Sequence, residues 1–164
     1  MPKGLKQSSS VVSIGFSVDE SAANTFTQTT VDLNLSPLDR EVFVVLAINM
    51  DPFYPEAIAA TDTRVASSLT STSQTRVTNL SNANCLAAAS NAVLQGTVPF
   101  QTTLETPPAN LEYIGIIATN DFFVQVEGAN NNNPKGLDGK LYGYRAIADA
   151  DIYAALVQSE ALSA

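Results

Sequence analysis

The fold class of this chain is decided by one stretch, Glu41-Val42-Phe43-Val44-Val45-Leu46-Ala47-Ile48-Asn49. Every residue between its polar ends is apolar. The run is far shorter than the roughly 20 apolar residues that a membrane-spanning helix needs. A short continuous run of this kind is typical of a central strand that is covered on both faces. We therefore predict that 41–49 is a buried strand of a β-sheet.

The residues before this stretch predict its partner strand. Apolar and polar residues alternate from Phe26 to Leu35, so that Val31 and Leu33 lie on one face. The segment Ser36-Pro37-Leu38-Asp39 then supplies turn chemistry, because proline already has the φ angle of the second turn position. We predict an antiparallel hairpin of Phe26–Leu35 with Glu41–Asn49.

Further strands are predicted on both sides of this hairpin. The alternation from Val11 to Asp19 is typical of a half-buried strand. The remaining candidates are Arg64–Ser73, Thr75–Leu80, Thr97–Thr106, Tyr113–Ala118, Phe122–Glu127 and Leu141–Ile147. Loops are predicted at 51–61 and 128–134, and a break at Pro107-Pro108.

Two segments change to a helical pattern. Asn82 to Gln95 begins with capping residues and is followed by Gly96, a common residue just past the end of a helix. Asp149 to Ala161 carries acidic residues in its first turn, where they complement the helix dipole. Its apolar side is formed by Ile152, Leu156 and Val157.

About eight short strands and two helices fit one domain over residues 11–164. We expect a mainly β fold, an antiparallel β-sandwich in the form of a jelly roll, with one inserted helix and a C-terminal helix. A polar, weakly basic N-terminal arm, residues 1–10, precedes this domain. With 164 residues, the chain is long enough to bury a core without disulfides or metals.

The composition argues against catalysis. The chain has no histidine and no tryptophan, and it has a single cysteine, Cys85. Histidine is the usual acid–base group near neutral pH, a common zinc ligand and the base of Ser and Cys triads. We therefore predict no enzyme activity and assign no catalytic, cofactor-binding or metal-binding residue. Cys85 is predicted to be a buried free thiol on the inserted helix.

The charge of the chain restricts its partners. Sixteen acidic and eight basic residues give a net charge of −8. Such a surface repels phosphate backbones, and the basic residues do not cluster except for Lys3 and Lys6. We predict no sequence-specific nucleic acid binding and no transmembrane segment, and the first ten residues do not resemble a signal peptide.

Loop carboxylates and tyrosines are the remaining candidates for binding. Asp51, Glu56 and Asp62 could ligate calcium, but their spacing matches no EF-hand, so solvated carboxylates are the favoured interpretation. The oxygen-rich segment 130–139, which contains Asp138, is likewise interpreted as a surface loop. Exposed tyrosines such as Tyr54 could stack on sugars.

In architecture and composition, residues Val11 to Ala164 resemble the small single-jelly-roll capsid proteins of icosahedral viruses. The resemblance implies a structural shell protein of the virion, whose partners are other copies of itself and possibly other capsid proteins. The chain departs from capsid proteins that face packaged RNA or DNA, because Lys3 and Lys6 form a much shorter basic arm. Its inner surface is therefore expected to meet a membrane, another protein layer or little nucleic acid.

Two other classes stay open, a secreted lectin-like or adhesin binding module and, less favoured, an enzyme. The polar arm bears on the choice. Ordering a residue costs about 1–2 kcal/mol, which ten mostly polar residues cannot offset by burying their own surface. We therefore expect neighbouring copies to supply contacts that order the arm.

Overall fold

A computed structural model describes residues 2–105 and 111–162 as two antiparallel sheets and one helix. The elements are β1 (Leu5–Gln7), β2 (Val12–Asp19), β3 (Thr27–Asp32), β4 (Glu41–Pro52), β5 (Thr63–Thr70), β6 (Cys85–Leu94), β7 (Phe100–Glu105), β8 (Gly115–Ile117), β9 (Asp121–Ala129), β10 (Gly136–Ala148) and α1 (Ala150–Leu162). The predicted mainly β sandwich with a C-terminal helix is confirmed. The break predicted at Pro107-Pro108 lies outside the described residues.

The strand order is that of a jelly roll. The first sheet has the order β2-β10-β4-β8, with β1 beside β2 along the same edge of β10, and the second sheet has the order β3-β9-β5-β6-β7. Four antiparallel pairs are nested along the chain: β5 with β6, β4 with β8, β3 with β9, and β2 with β10. A single long hairpin of these four pairs, rolled into two sheets, produces the jelly roll.

The strand predicted to be central is β4. It lies between β10 and β8, and Val42 to Val45 are fully buried or nearly so. Phe43 and Val45 face the core between the two sheets, whereas Val42 and Val44 face the opposite side of the first sheet. The prediction of burial on both faces is confirmed.

The predicted hairpin around Ser36-Pro37-Leu38-Asp39 is wrong. β3 pairs with β9 in the second sheet, so the chain crosses between the sheets before β4 begins. This crossing buries Leu33 and Leu35 in the inter-sheet core. The Arg145 guanidinium holds the crossing in place by donating to the carbonyl of Leu33 at 2.6 Å.

The predicted helix at Asn82–Gln95 is also wrong, because this segment contains strand β6. β6 pairs with β5 on one side and with β7 on the other. Its alanines have a high helix propensity, but propensity is a weak signal that tertiary contacts override. The alternate residues Ala87, Ala89 and Val93 are buried, which is a period of two. The strand predicted at 75–80 is likewise a loop.

Large side chains fill the space between the sheets. Phe16 and Phe122 meet edge to face with ring centroids 6.0 Å apart, and Phe43 lies in the same cluster. We call this cluster the inter-sheet core. Fully burying a side chain of this size stabilises the fold by roughly 1.5–3 kcal/mol.

Helix α1 covers the other face of the first sheet. Tyr153, Leu156 and Val157 pack against Val42 and Val44 in a second cluster, the helix-side core. The buried carboxylate of Glu160 anchors the helix, because it accepts hydrogen bonds from the backbone N–H groups of residues 118 and 119 at 2.7 and 3.1 Å. Among the described residues no helix is long and apolar enough to cross a membrane.

The N-terminal segment is bound to its own chain. Residues Leu5–Gln7 form β1, which pairs with β10, and the Leu5 side chain is buried in the helix-side core. Gly4 lies so close to α1 that an added Cβ atom would come within 2.7 Å of Ile152 Cγ1. Sheet pairing within the chain therefore supplies contacts that order residues 5–7, and contacts of the arm with neighbouring copies stay a prediction.

Candidate functional site

Three loops meet at one end of the sandwich, where the central group is the buried carboxylate of Glu20. It accepts hydrogen bonds from the backbone N–H groups of Thr25, Gly128 and Lys135 at 2.8, 3.0 and 2.9 Å. We call this region, residues 20–26, 53–62 and 130–135, the loop end. Because Glu20 bonds to two of these loops and to the end of β9, it fixes their relative positions.

The asparagine tract 130–133 is part of the same framework. Asn131 is buried, and its backbone N–H donates to Asn24 Oδ1 at 2.8 Å. Its side chain donates to the carbonyl of Arg64 at 3.0 Å and accepts from the N–H of Glu56 at 3.1 Å. These contacts give the asparagine a structural role that its sequence context did not reveal.

Two stacked aromatic rings and a buried lysine lie beside this tract. The rings of Phe53 and Tyr54 have centroids 4.3 Å apart, and Lys135 Nζ lies 5.3 Å from the Phe53 centroid. The same ammonium group lies 3.4 Å from Glu56 Oε1. The pKa of the Glu56 carboxyl is held below its ordinary value. The largest cause is the hydrogen bond from the N–H of Asn132, followed by the side chain of Asn133 and by the positive charge of Lys135.

A pocket of about 270 Å³ next to these rings is lined by three carboxylates, those of Asp19, Asp51 and Asp138. Asp51 and Asp138 are directly opposite each other on β4 and β10. Asp138 accepts a hydrogen bond from the Ser17 hydroxyl at 2.7 Å. In the described ranges, no group of three or more potential ligand side chains is arranged to hold a metal ion.

The three carboxylates considered as calcium ligands, those of Asp51, Glu56 and Asp62, each have different contacts. Glu56 is bound to the asparagine tract and Lys135. Asp62 accepts a hydrogen bond from the N–H of Gln95 at 2.7 Å, and Asp51 lies in the pocket of carboxylates. The structure thus gives two of these three residues partners within the chain.

A larger groove lies on the outer face of the second sheet. Its volume is about 670 Å³, and its lining includes small residues of β5 and β6, such as Ala66 and Ser90, and the loop 76–81. An ion pair of 3.6 Å between Arg76 and Glu127 lies at the groove. The dimensions are those of a site for a small molecule.

A buried polar network holds the loop that borders this groove. Gln125 is fully buried, and its side chain bonds to Ser68, Thr70 and Gln28 at 2.6, 2.8 and 2.9 Å. The loop closes over this network, since the N–H of Gln74 donates to Gln28 Oε1 at 2.9 Å. The network was not predictable from the sequence, because the alternation of polar residues in these strands predicts a solvated face.

Cys85 is the first residue of β6 and is half-buried. Its thiol donates to the carbonyl of Ala87 at 3.3 Å. Burial raises the pKa of the Cys85 thiol, so the nucleophilic thiolate is disfavoured at neutral pH. This supports a structural role for the cysteine.

Several large apolar side chains are exposed at the ends of loops and on β7. Leu38, at the crossing between the sheets, is 96% exposed, and Val98 and Phe100, at the turn before β7 and in its first residue, are 72% and 54% exposed. Leu80, Leu111 and Leu162 are exposed as well. These residues project from the sandwich, where another molecule can cover them.

No protein-family model matches the chain, and a search of curated proteins finds no match. The function is therefore inferred from the fold and from the surfaces described above.

Proposed function

We propose that this protein is a structural subunit that assembles with copies of itself into a shell, as the capsid proteins of icosahedral viruses do, and that it resides in the virion. The strand order supports the proposal, because jelly rolls of this kind are found in viral capsid proteins and in lectins. Because buried side chains fill the inter-sheet core, we expect contacts with other molecules on the outer surfaces of the sandwich.

The observation that carries the proposal is the position of the exposed apolar side chains. Leu38, Val98 and Phe100 lie on projecting loops and an edge strand rather than within a concave site. Apolar area removed from water stabilises association by roughly 25 cal/mol per Å². Projections of this kind on a subunit are covered when neighbours surround it on several sides.

The charge distribution supports a shell that does not hold nucleic acid through basic arms. Lys6 is part of β1 and is therefore fixed in the first sheet, and Lys135 is buried beside Glu56. We propose that the partners of this chain are other copies and other capsid proteins. Its role requires no cofactor and no enzymatic step.

Electron microscopy of the purified, concentrated protein tests this proposal. We expect closed particles, or oligomers that become particles at higher concentration or salt, since salt screens the repulsion between chains of charge −8. Removing an exposed apolar projection with Leu38→Ser should reduce the yield of particles while the circular dichroism spectrum stays unchanged. A solution that contains only separate subunits under all these conditions would contradict the proposal.

A second candidate function, a secreted lectin-like or adhesin binding module, is favoured by the 670 Å³ groove and by the exposed ring of Tyr54. A glycan array probed with the labelled protein tests it. Binding that is lost in Tyr54→Ala, or in Arg76→Ala at the groove, would support this function. An array with no signal would count against it.

A further inference from the structure

Strand β7 extends beyond the part of the sandwich that the first sheet covers. Because β1 and β2 share one edge of β10, the first sheet is four strands wide in the described residues, whereas the second is five strands wide. Like the short strand β1, β7 lies outside the four nested pairs. Among residues 2–105 and 111–162, it pairs only with β6.

At the start of β7, side chains are exposed on both faces of the sheet. Phe100 is opposite Leu94 on the outer face, and Gln101 and Thr103 are exposed on the face that carries Ala89 of β6. The other edges are covered on at least one side. Phe16 and Val18 of β2 are buried in the inter-sheet core.

The edge strands β3 and β8 also differ from β7, because each of them has contacts beyond its paired strand. On β3, Gln28 donates a hydrogen bond to Ser73 of the loop beside it. β8 has only three residues, and the last of them, Ile117, is fully buried.

The outer edge of β7 also lacks the usual protection of an edge strand. Natural proteins place charged residues, proline or a bulge on such edges, because unpaired backbone N–H and C=O groups recruit other strands. The one charged residue of β7 is its last, Glu105; no charge occurs from Val98 to Leu104, and the one proline, Pro99, precedes the strand. An edge with no charge before its last residue is suited to being paired.

We propose that β7 pairs antiparallel with β7 of a second copy, so that the two second sheets become one continuous sheet across a two-fold axis. A two-fold axis brings identical surfaces together, and identical strands related by it run antiparallel. In this antiparallel pair the single charged residue of each β7, Glu105, lies at opposite ends, which limits like-charge repulsion at the contact between two chains that each carry −8. This inference rests on the proposed assembly and identifies one of its contacts.

Sedimentation velocity of the full chain and of two variants tests the contact. Thr102→Lys places a charge near the middle of β7, where the two-fold axis brings the same residue of the two strands close together, and like charges close together across paired strands repel. We expect a folded variant whose dimer dissociates about tenfold more readily, or more. Thr30→Lys is the matched control, because it adds the same charge at an exposed threonine of β3, the opposite edge of the same sheet, and it should keep the dimer.

Hydrogen exchange of the unmodified protein provides a second measurement that does not depend on a variant. On going from dilute to concentrated protein, roughly half of the amides of 100–105 should become protected, since alternate N–H groups of an edge strand point outward. The amides of β3, the opposite edge of the same sheet, should not change.

The outcomes separate this inference from the proposed function. If the protein assembles but Thr102→Lys assembles equally well and the β7 amides stay unprotected, the β7 contact is wrong and the shell proposal stands. If the protein never associates, both are wrong.

Discussion

At the scale of single residues, the buried carboxylates of this protein serve as acceptors for backbone N–H groups. Glu20 joins three such groups at the loop end, and Glu160 joins α1 to the segment after β8. Neither role was predictable from the sequence. The partners of Glu20 include residues 108 and 115 positions away, so no local pattern indicates them.

Glu20→Ala should destabilise the fold strongly. The change leaves three backbone N–H groups without their acceptor, and a buried unsatisfied group costs about 1–3 kcal/mol. We expect a loss of roughly 3 kcal/mol in the free energy of unfolding, measured by urea denaturation. Asp19→Ala, at the exposed neighbouring residue, is the control. Equal losses in the two variants would show that the Glu20 contacts contribute little.

Glu56 should make stability depend on pH below about pH 4.5. Its pKa is lowered from 4.5 in the folded protein, chiefly by the N–H of Asn132. A carboxyl group with a lowered pKa stabilises the folded state above its unfolded value, and this contribution is lost as the pH falls through the folded value. Glu56→Gln should therefore be less stable than the natural protein at neutral pH, and the difference should shrink in acid.

Urea midpoints measured from neutral pH downward check this expectation. Asp151→Asn, which changes an exposed carboxylate of α1, serves as the control. A Glu56→Gln difference that stays constant across the pH range would contradict the role assigned to the Glu56 carboxylate.

At the scale of elements, the sequence predicts those whose pattern is strong and local. β4 and α1 are found where expected, because a continuous apolar run is typical of a buried strand, and acidic residues followed by apolar residues at helical spacing are typical of a helix. The segment that forms β6, Cys85 to Leu94, was instead predicted to be helical because it is rich in alanine. It becomes a strand by pairing with β5 and β7. Local propensity could not reveal those neighbours.

Val44→Asp should unfold the protein. Val44 is fully buried in β4 and faces the helix-side core, where an aspartate would lack a partner among apolar neighbours. Burying an unpaired charge or a protonated carboxyl costs several kcal/mol. Val11→Asp, the same change at an exposed valine, should leave the protein folded. Circular dichroism and urea denaturation distinguish the two, and a stable Val44→Asp protein would show that β4 is not central.

At the scale of the whole molecule, the sandwich was predictable but the connection of its strands was not. Turn residues at 36–39 predict a hairpin, yet the chain crosses between the sheets because Leu33 and Leu35 gain burial in the inter-sheet core and Arg145 holds the crossing. The candidate sites depend on this connectivity. The loop end forms only when the segments after β2, β4 and β9 are brought to one end of the sandwich.

The central claim is that this jelly roll functions as an assembling subunit. The most direct test is the molar mass of the full chain by light scattering over a concentration series. The account predicts a mass of at least two chains that rises with concentration as dimers join into larger particles. A mass equal to one chain at every concentration would contradict it.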